Sequence, residues 1–184
     1  MDLCTYHSHC NFCDGKAPTE DFVKAAIEAG FHSYGISSHS PLPFETQWSL
    51  SKREVEAYLS EIKRLKEKYA GEIELYVGME IDYLNDEWGP AVDYFQRMPL
   101  DYRIGSVHLV TEEQTGEIMD MDGKFEDFSE NLRLVFHDDL KHLVKSYFRA
   151  SSRMVELGGF DFVAHLDKIS MNGSLMDSTL TGQA

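Results

Sequence analysis

His7 and His9 stand one residue apart at the end of a short strand-like run, Met1-Asp2-Leu3-Cys4-Thr5-Tyr6. In a strand, residues i and i+2 face the same side, so the two imidazoles can meet at one cation. His39, Glu80, His108 and His165 each sit at or just beyond the C-terminal end of a further apolar, strand-like run. Where strands alternate with helices, the strand C-termini converge on one rim, and such folds build their sites there. The pattern predicts a polynuclear metal site. Imidazole and carboxylate together suit zinc, manganese or iron. A carboxylate such as Glu80 can bridge two cations, which a neutral imidazole cannot. Two cations about 3.5–4 Å apart acidify a water and clamp both oxygens of a phosphoryl displacement, so no protein nucleophile is needed. The chain has no Gly-x-Ser-x-Gly elbow, no Walker-type phosphate loop and no His-Glu-x-x-His helix.

Other candidates compete with these. Asp82 follows Glu80 by two residues and shares its face. Val77-Gly78-Met79 before Glu80 and Ile81 after it imply burial, and a buried carboxylate requires a cationic partner. His32, His137 and His142 fall at a strand start or on helices and are expected to lie outside the site. Lys168 and Arg149 are expected to be solvated or salt-bridged, with a phosphate contact as the alternative role. Cys4, Cys10 and Cys13 are expected to be reduced, partly buried thiols. A closed zinc site would need a second Cys pair, and an odd count argues against a disulfide framework.

The elements that must position these residues follow from periodicity and caps. Thr19 is the expected N-cap of a helix over Glu20–Ala29, closed by Gly30. His32–Ser37 is a second strand, and Pro41-Leu42-Pro43 is a rim loop. Ser51-x-x-Glu54 is a capping box, and Val55, Tyr58, Leu59, Ile62, Leu65 and Tyr69 form a helical stripe that Gly71 ends. Strands are expected at Ile73–Val77, Tyr102–Val107 and Phe160–Ala164, and helices at Ala91–Arg97, Phe125–Phe136 and Asp138–Leu157. Such alternation predicts an α/β fold with a parallel sheet or barrel and helices outside. Residues 1–171 form the expected domain, and 172–184 a polar tail.

The chain has 184 residues, enough for one domain with a sizeable core. Its net charge of −15 disfavours nucleic-acid partners but permits a small phosphorylated substrate, because cations in the pocket invert the local potential. No apolar run reaches the roughly 20 residues of a membrane span, and the start lacks a signal-peptide pattern, so a cytoplasmic location is expected.

Several segments together resemble the polymerase and histidinol phosphatase (PHP) superfamily, in its histidinol-phosphatase branch. They are His7-Ser8-His9 with Phe12-Cys13-Asp14-Gly15, then Gly35-Ile36-Ser37-Ser38-His39-Ser40-Pro41 and Gly78-Met79-Glu80-Ile81-Asp82. Gly105-Ser106-Val107-His108 and the run Gly159 to Lys168 complete the series. The resemblance implies a distorted (β/α)7 barrel with up to three divalent metals. It implies that His7, His9 and Glu80 hold the first metal. Glu80, His108 and His165 would hold the second, with Glu80 bridging, and Asp14 and His39 the third. Glu80 and His39 would act in catalysis through a metal-bridging hydroxide, and the reaction would be hydrolysis of L-histidinol phosphate in histidine biosynthesis.

The family's last Asp-x-His-type motif, which supplies two of nine ligands, has no counterpart after His165. The barrel is therefore expected to be incomplete, to bind fewer than three metals, to self-associate through exposed strand edges, and to hydrolyse L-histidinol phosphate poorly or not at all. The alternatives are another small phosphorylated substrate, or a metal-binding module without turnover. An amidohydrolase barrel also begins with His-x-His, but it usually carries a late aspartate that is not matched here.

Overall fold

Residues 2–180 are described by a computed structural model. The elements run β1 (Leu3–Thr5), α1 (Thr19–Glu28), β2 (Phe31–Ile36), α2 (Val55–Lys68), β3 (Glu74–Val77), β4 (Glu80–Asp82) and α3 (Asp93–Gln96). They continue as β5 (Ile104–Ser106), β6 (Leu109–Thr111), β7 (Ile118–Asp120), α4 (Phe125–Phe136), α5 (Leu140–Leu157), β8 (Phe162–Val163) and α6 (Ser170–Leu180).

β1, β2 and β3 pair in parallel in that order, and so do β4, β5 and β8. The two groups form one wall. The chain interrupts its third strand at Gly78-Met79 and resumes it as β4, while the extension of β2 stays alongside. The Gly78 N–H donates to Ile36 O (2.7 Å), the Glu80 N–H to Ser38 O (3.1 Å), and the Ser40 N–H to Glu80 O (2.8 Å). Five parallel strand positions therefore follow the order of the sequence, which is the wall of an α/β barrel. Among the described residues nothing pairs the outer edges of β1 and β8, and the barrel is open there, as the incomplete (β/α)7 reading expects.

Gly78 is needed where the strand breaks. A Cβ at this position would lie 2.2 Å from the Tyr102 ring, which crosses the inner face of the wall. The Tyr102 hydroxyl donates to Tyr6 O (2.6 Å) and ties β5's approach to β1. On the other face, the buried Tyr58 hydroxyl lies 2.7 Å from Gly78 O and 3.0 Å from Ile36 O, at the point where the strands diverge.

Two apolar cores flank the wall. Val23 and Ala26 of α1 and Tyr58, Ile62 and Leu65 of α2 pack against Leu75 and Val77. Phe128, Leu132 and Phe136 of α4 pack with Leu143, Tyr147 and Met154 of α5. Fully burying one such side chain contributes about 1.5–3 kcal/mol.

Several local expectations change. Thr19 opens α1 rather than capping it: Pro18 takes the N-cap position, and the Thr19 N–H donates to Asn11 Oδ1 (3.2 Å). Ser51 caps a single 3₁₀ turn, Lys52–Glu54, accepting from the Arg53 N–H, before α2 begins. The helix expected at Ala91–Arg97 is shortened to α3. The antiparallel hairpin β6–β7 was not foreseen. The stretch expected as a polar tail from Asn172 is helical through Leu180. Asn172 is buried, with its amide 3.4 Å from both Met121 O and Gly123 O, and Ile169 and Met176 join the second core. The remainder of that stretch, residues 181–184, lies outside the described residues, as does Met1 of the opening run. No helix among the described residues is long and apolar enough to cross a membrane.

Candidate metal centre

The open end of the wall gathers all seven residues singled out above. His7 and His9 leave β1, His39 leaves β2, Glu80 opens β4, His108 follows β5 and His165 follows β8. Asp14 arrives on a tight loop in which the Cys13 and Gly15 N–H groups both donate to Cys10 O. A Cβ on Gly15 would fall 2.5 Å from the Cys10 backbone, so only glycine permits this turn.

Glu80 is the hub and is fully buried. Its Oε2 lies 3.2 Å from His7 Nε2, His9 Nε2 and His39 Nδ1. Its Oε1 lies 3.1 Å from His165 Nε2 and 3.7 Å from His108 Nε2. His9 Nδ1 is 2.8 Å from Asp14 Oδ1, and His39 Nε2 is 3.9 Å from Asp14 Oδ2. Three overlapping groups have donor atoms close enough for one cation each: His7, His9 and Glu80; His9, Asp14 and His39; and His39, Glu80 and His108.

The arrangement fits divalent cations on its own evidence. Glu80 Oε2 and His39 Nδ1 are both buried, yet neither has a hydrogen-bond partner although they are 3.2 Å apart. Ring nitrogens also face one another, His7 Nε2 with His9 Nε2 at 3.1 Å and His108 Nε2 with His165 Nε2 at 3.2 Å. Glu80 Oε2 and His39 Nδ1 crowd together without satisfying one another, so their lone pairs are aimed at a shared point. An unsatisfied buried carboxylate oxygen is costly, and a bound cation would remove that cost.

The protonation pattern agrees. Burial opposes the charge on Glu80, but His165, His7 and His9 outweigh it and hold its carboxyl far below the usual range. Burial works against the proton on His9, yet Cys13, Glu80 and Asp14 push its pKa up to about 11. His108 is likewise raised to about 9 by Asp82 and Glu80 against burial. Burial lowers His39 to about 4. Protons thus occupy the places where cations would satisfy the same carboxylates.

The structure distinguishes the two candidate carboxylates of β4. Glu80 faces the cluster, whereas Asp82 lies behind His108 and accepts from its backbone N–H (2.8 Å) and its Nδ1 (2.9 Å). The sequence shows that the two share a face but carries no signal for this division. Trp48, Asp120 and Asp122 at the mouth were also missed. The Trp48 ring packs edge-on against His39 and His108 (centroids 4.9 and 5.8 Å), and its Nε1 donates to Asp120 Oδ2 (3.0 Å). The i, i+2 spacing of Asp120 and Asp122 at a strand end was the available signal.

The control histidines lie elsewhere. His32 is exposed, His137 ends α4 in the left-handed conformation (φ 52°), and His142 packs on Phe136 with Nε2 3.8 Å from Glu112. Arg149 is exposed and paired with Glu113, and Lys168 is paired with Asp122. All three cysteines are free thiols; Cys4 is exposed rather than partly buried, because β1 is an edge strand.

Comparison with known proteins follows the same line. The chain is 26% identical over 174 residues to a probable histidinol-phosphatase of Deinococcus radiodurans, covering 90% of this chain and 60% of that protein. A histidinol-phosphatase of Bacillus subtilis is 29% identical over 128 residues, 63% of this chain and 47% of its own length. The chain thus spans about 60% or less of these relatives. Among solved structures, a histidinol phosphatase from Listeria monocytogenes, described as putative, shares the fold at a TM-score of 0.75 and 23% identity, over 91% of this chain and 68% of that one. A histidinol phosphate phosphatase from Lactococcus lactis, solved with zinc, L-histidinol and phosphate, superposes at a TM-score of 0.57 and 19% identity, over 91% and 59%. Residues 5–181 match the profile of the PHP domain, and the chain belongs to that family.

Proposed function

We propose that this chain carries the metal centre of a cytoplasmic phosphomonoesterase that hydrolyses L-histidinol phosphate to L-histidinol and phosphate in histidine biosynthesis. The observation that carries this reading is the buried Glu80 carboxylate facing five imidazole nitrogens, with its Oε2 left without a hydrogen bond. His7, His9 and Glu80 would hold one cation, and Glu80, His108 and His165 a second. Asp14 and His39 would take part in a third. Zinc, manganese and iron all suit this donor set. Divalent cations held here would supply Lewis acidity and an acidified water.

The chain's own residues do the rest. Asp82 fixes His108 with Nδ1 protonated, so Nε2 keeps its lone pair for the centre. Trp48 covers His39 and His108 on one side and limits water there. Glu80 and His39 act through the cations they hold, and no side chain serves as the nucleophile. The relatives' names support the choice of substrate. The open edges of β1 and β8 support self-association as well.

The test is phosphate release from L-histidinol phosphate by the metal-loaded chain, with and without a chelator. Slow turnover that the chelator abolishes, exceeding that on a plain aryl phosphate, is expected. A metal-loaded chain that hydrolyses only the aryl phosphate would point to another small substrate. Metal binding with no turnover at all would favour a non-catalytic PHP module.

A further inference from the structure

Lys168 is the cation that the fold places beside the centre. It follows His165 by one turn, with its N–H donating to His165 O (3.2 Å), so it shares a support with a residue of the cluster. Its ammonium lies 2.6 Å from Asp122 Oδ1, and the other oxygen of Asp122 lies 3.9 Å from His108 Nε2. One carboxylate therefore separates the lysine from the His108–His165 pair, whose facing nitrogens are 3.2 Å apart. The Lys168 side chain is only 19% exposed, and among the described residues Asp122 is its sole side-chain partner. An ammonium has three donors, so at least two stay available to a ligand.

Arg149, the other cation considered for a phosphate contact, is exposed on α5 and engaged by Glu113. Asp122, which holds Lys168, and Glu80 both lie within 4 Å of His108, so the side of the centre that Lys168 borders is acidic. Cations held in the centre would offset that charge, and Lys168 adds a fixed positive charge beside them. Asp122 itself belongs to the segment that leaves β7, and the Met121 N–H anchors that segment to His108 O (3.0 Å). The carboxylate thus holds the lysine head at the mouth.

We propose that Lys168, held by Asp122 beside His108, is the residue that takes the phosphoryl group at this centre. The inference rests on the phosphomonoesterase reading and adds a specificity residue to it. An incoming phosphoryl oxygen takes up the free donors of Lys168 while Asp122 keeps the ammonium in place. Charge-assisted hydrogen bonds of this kind are the strong ones.

The test is calorimetric titration of inorganic phosphate into the zinc-loaded chain, comparing wild type with Lys168→Met, Lys168→Arg and Arg149→Ala. Lys168→Met should weaken phosphate binding about tenfold or more, the scale of one hydrogen bond to a charged group. Lys168→Arg should recover most of that loss, and Arg149→Ala should bind as wild type does. If Lys168→Met leaves Asp122 unpaired and unfolds the chain, the double variant Lys168→Met/Asp122→Asn removes both charges and should show the same loss. Wild-type phosphate affinity in folded Lys168→Met, or in the double variant, would overturn the proposal and leave the metal centre intact. A wild-type chain that binds zinc but no phosphate would instead overturn the functional reading beneath it.

Discussion

Asp82 Oδ1 accepts two hydrogen bonds from His108, one from the backbone N–H at 2.8 Å and one from Nδ1 at 2.9 Å. Both residues are buried, and this pairing decides which ring nitrogen of His108 faces the cluster. A carboxylate behind a ligating histidine fixes its tautomer and raises its basicity. Asp82→Asn keeps the shape but removes the charge. Metal affinity should fall about 10–100-fold, the usual cost of losing such a partner. A competition titration against a chromogenic chelator measures this, and unchanged affinity would remove Asp82 from the account.

Metal uptake should release protons. His9 and His108, raised to about 11 and about 9, carry protons at neutral pH in the metal-free chain. Those protons must leave before the nitrogens can ligate. Affinity should therefore rise with pH from neutral toward about 9 and fall as the medium is acidified. Calorimetry of zinc binding in buffers of different ionisation enthalpy reads the proton count directly. A heat that does not depend on the buffer would contradict this.

The unpaired edges should drive association. β1 presents Leu3 at 47% exposure, and β8 presents Phe162 at 39%. Unpaired strand edges offer free N–H and C=O groups to other chains, and although both edges here are short, neither is blocked by a charge on these side chains. Sizing with light scattering should show a mass that rises with concentration, and Leu3→Lys should shift it toward the monomer. A strict monomer at all concentrations, unaffected by Leu3→Lys, would show that the edge is harmless.

Much of this centre was legible in the sequence because its residues sit at strand ends. The apolar runs before His39, His108 and His165 mark where each strand stops, and the rim follows from that. The break between β3 and β4 was not legible. Ile73–Val77 scans as a strand that runs out into Gly78-Met79-Glu80-Ile81-Asp82, with no sign that it resumes as β4, and only the approach of Tyr102 over Gly78 explains the interruption. The β6–β7 hairpin was hidden for a related reason: three-residue strands around Thr115-Gly116 are too short for periodicity to register. α6 was missed because its sequence, with Gly173 and several serines, has weak amphipathicity. It is held instead by the Asn172 amide and by Met176, which are tertiary contacts.

Metal content of the purified Glu80→Gln variant, measured by elemental analysis beside wild type and His142→Ala, tests the central claim most directly. Glutamine preserves the volume of Glu80 and removes the charge that five imidazole nitrogens face. The account predicts that wild type and His142→Ala retain the same bound metal, while Glu80→Gln loses most of it. Glu80→Gln chains that fold and carry the wild-type complement of metal would contradict the account.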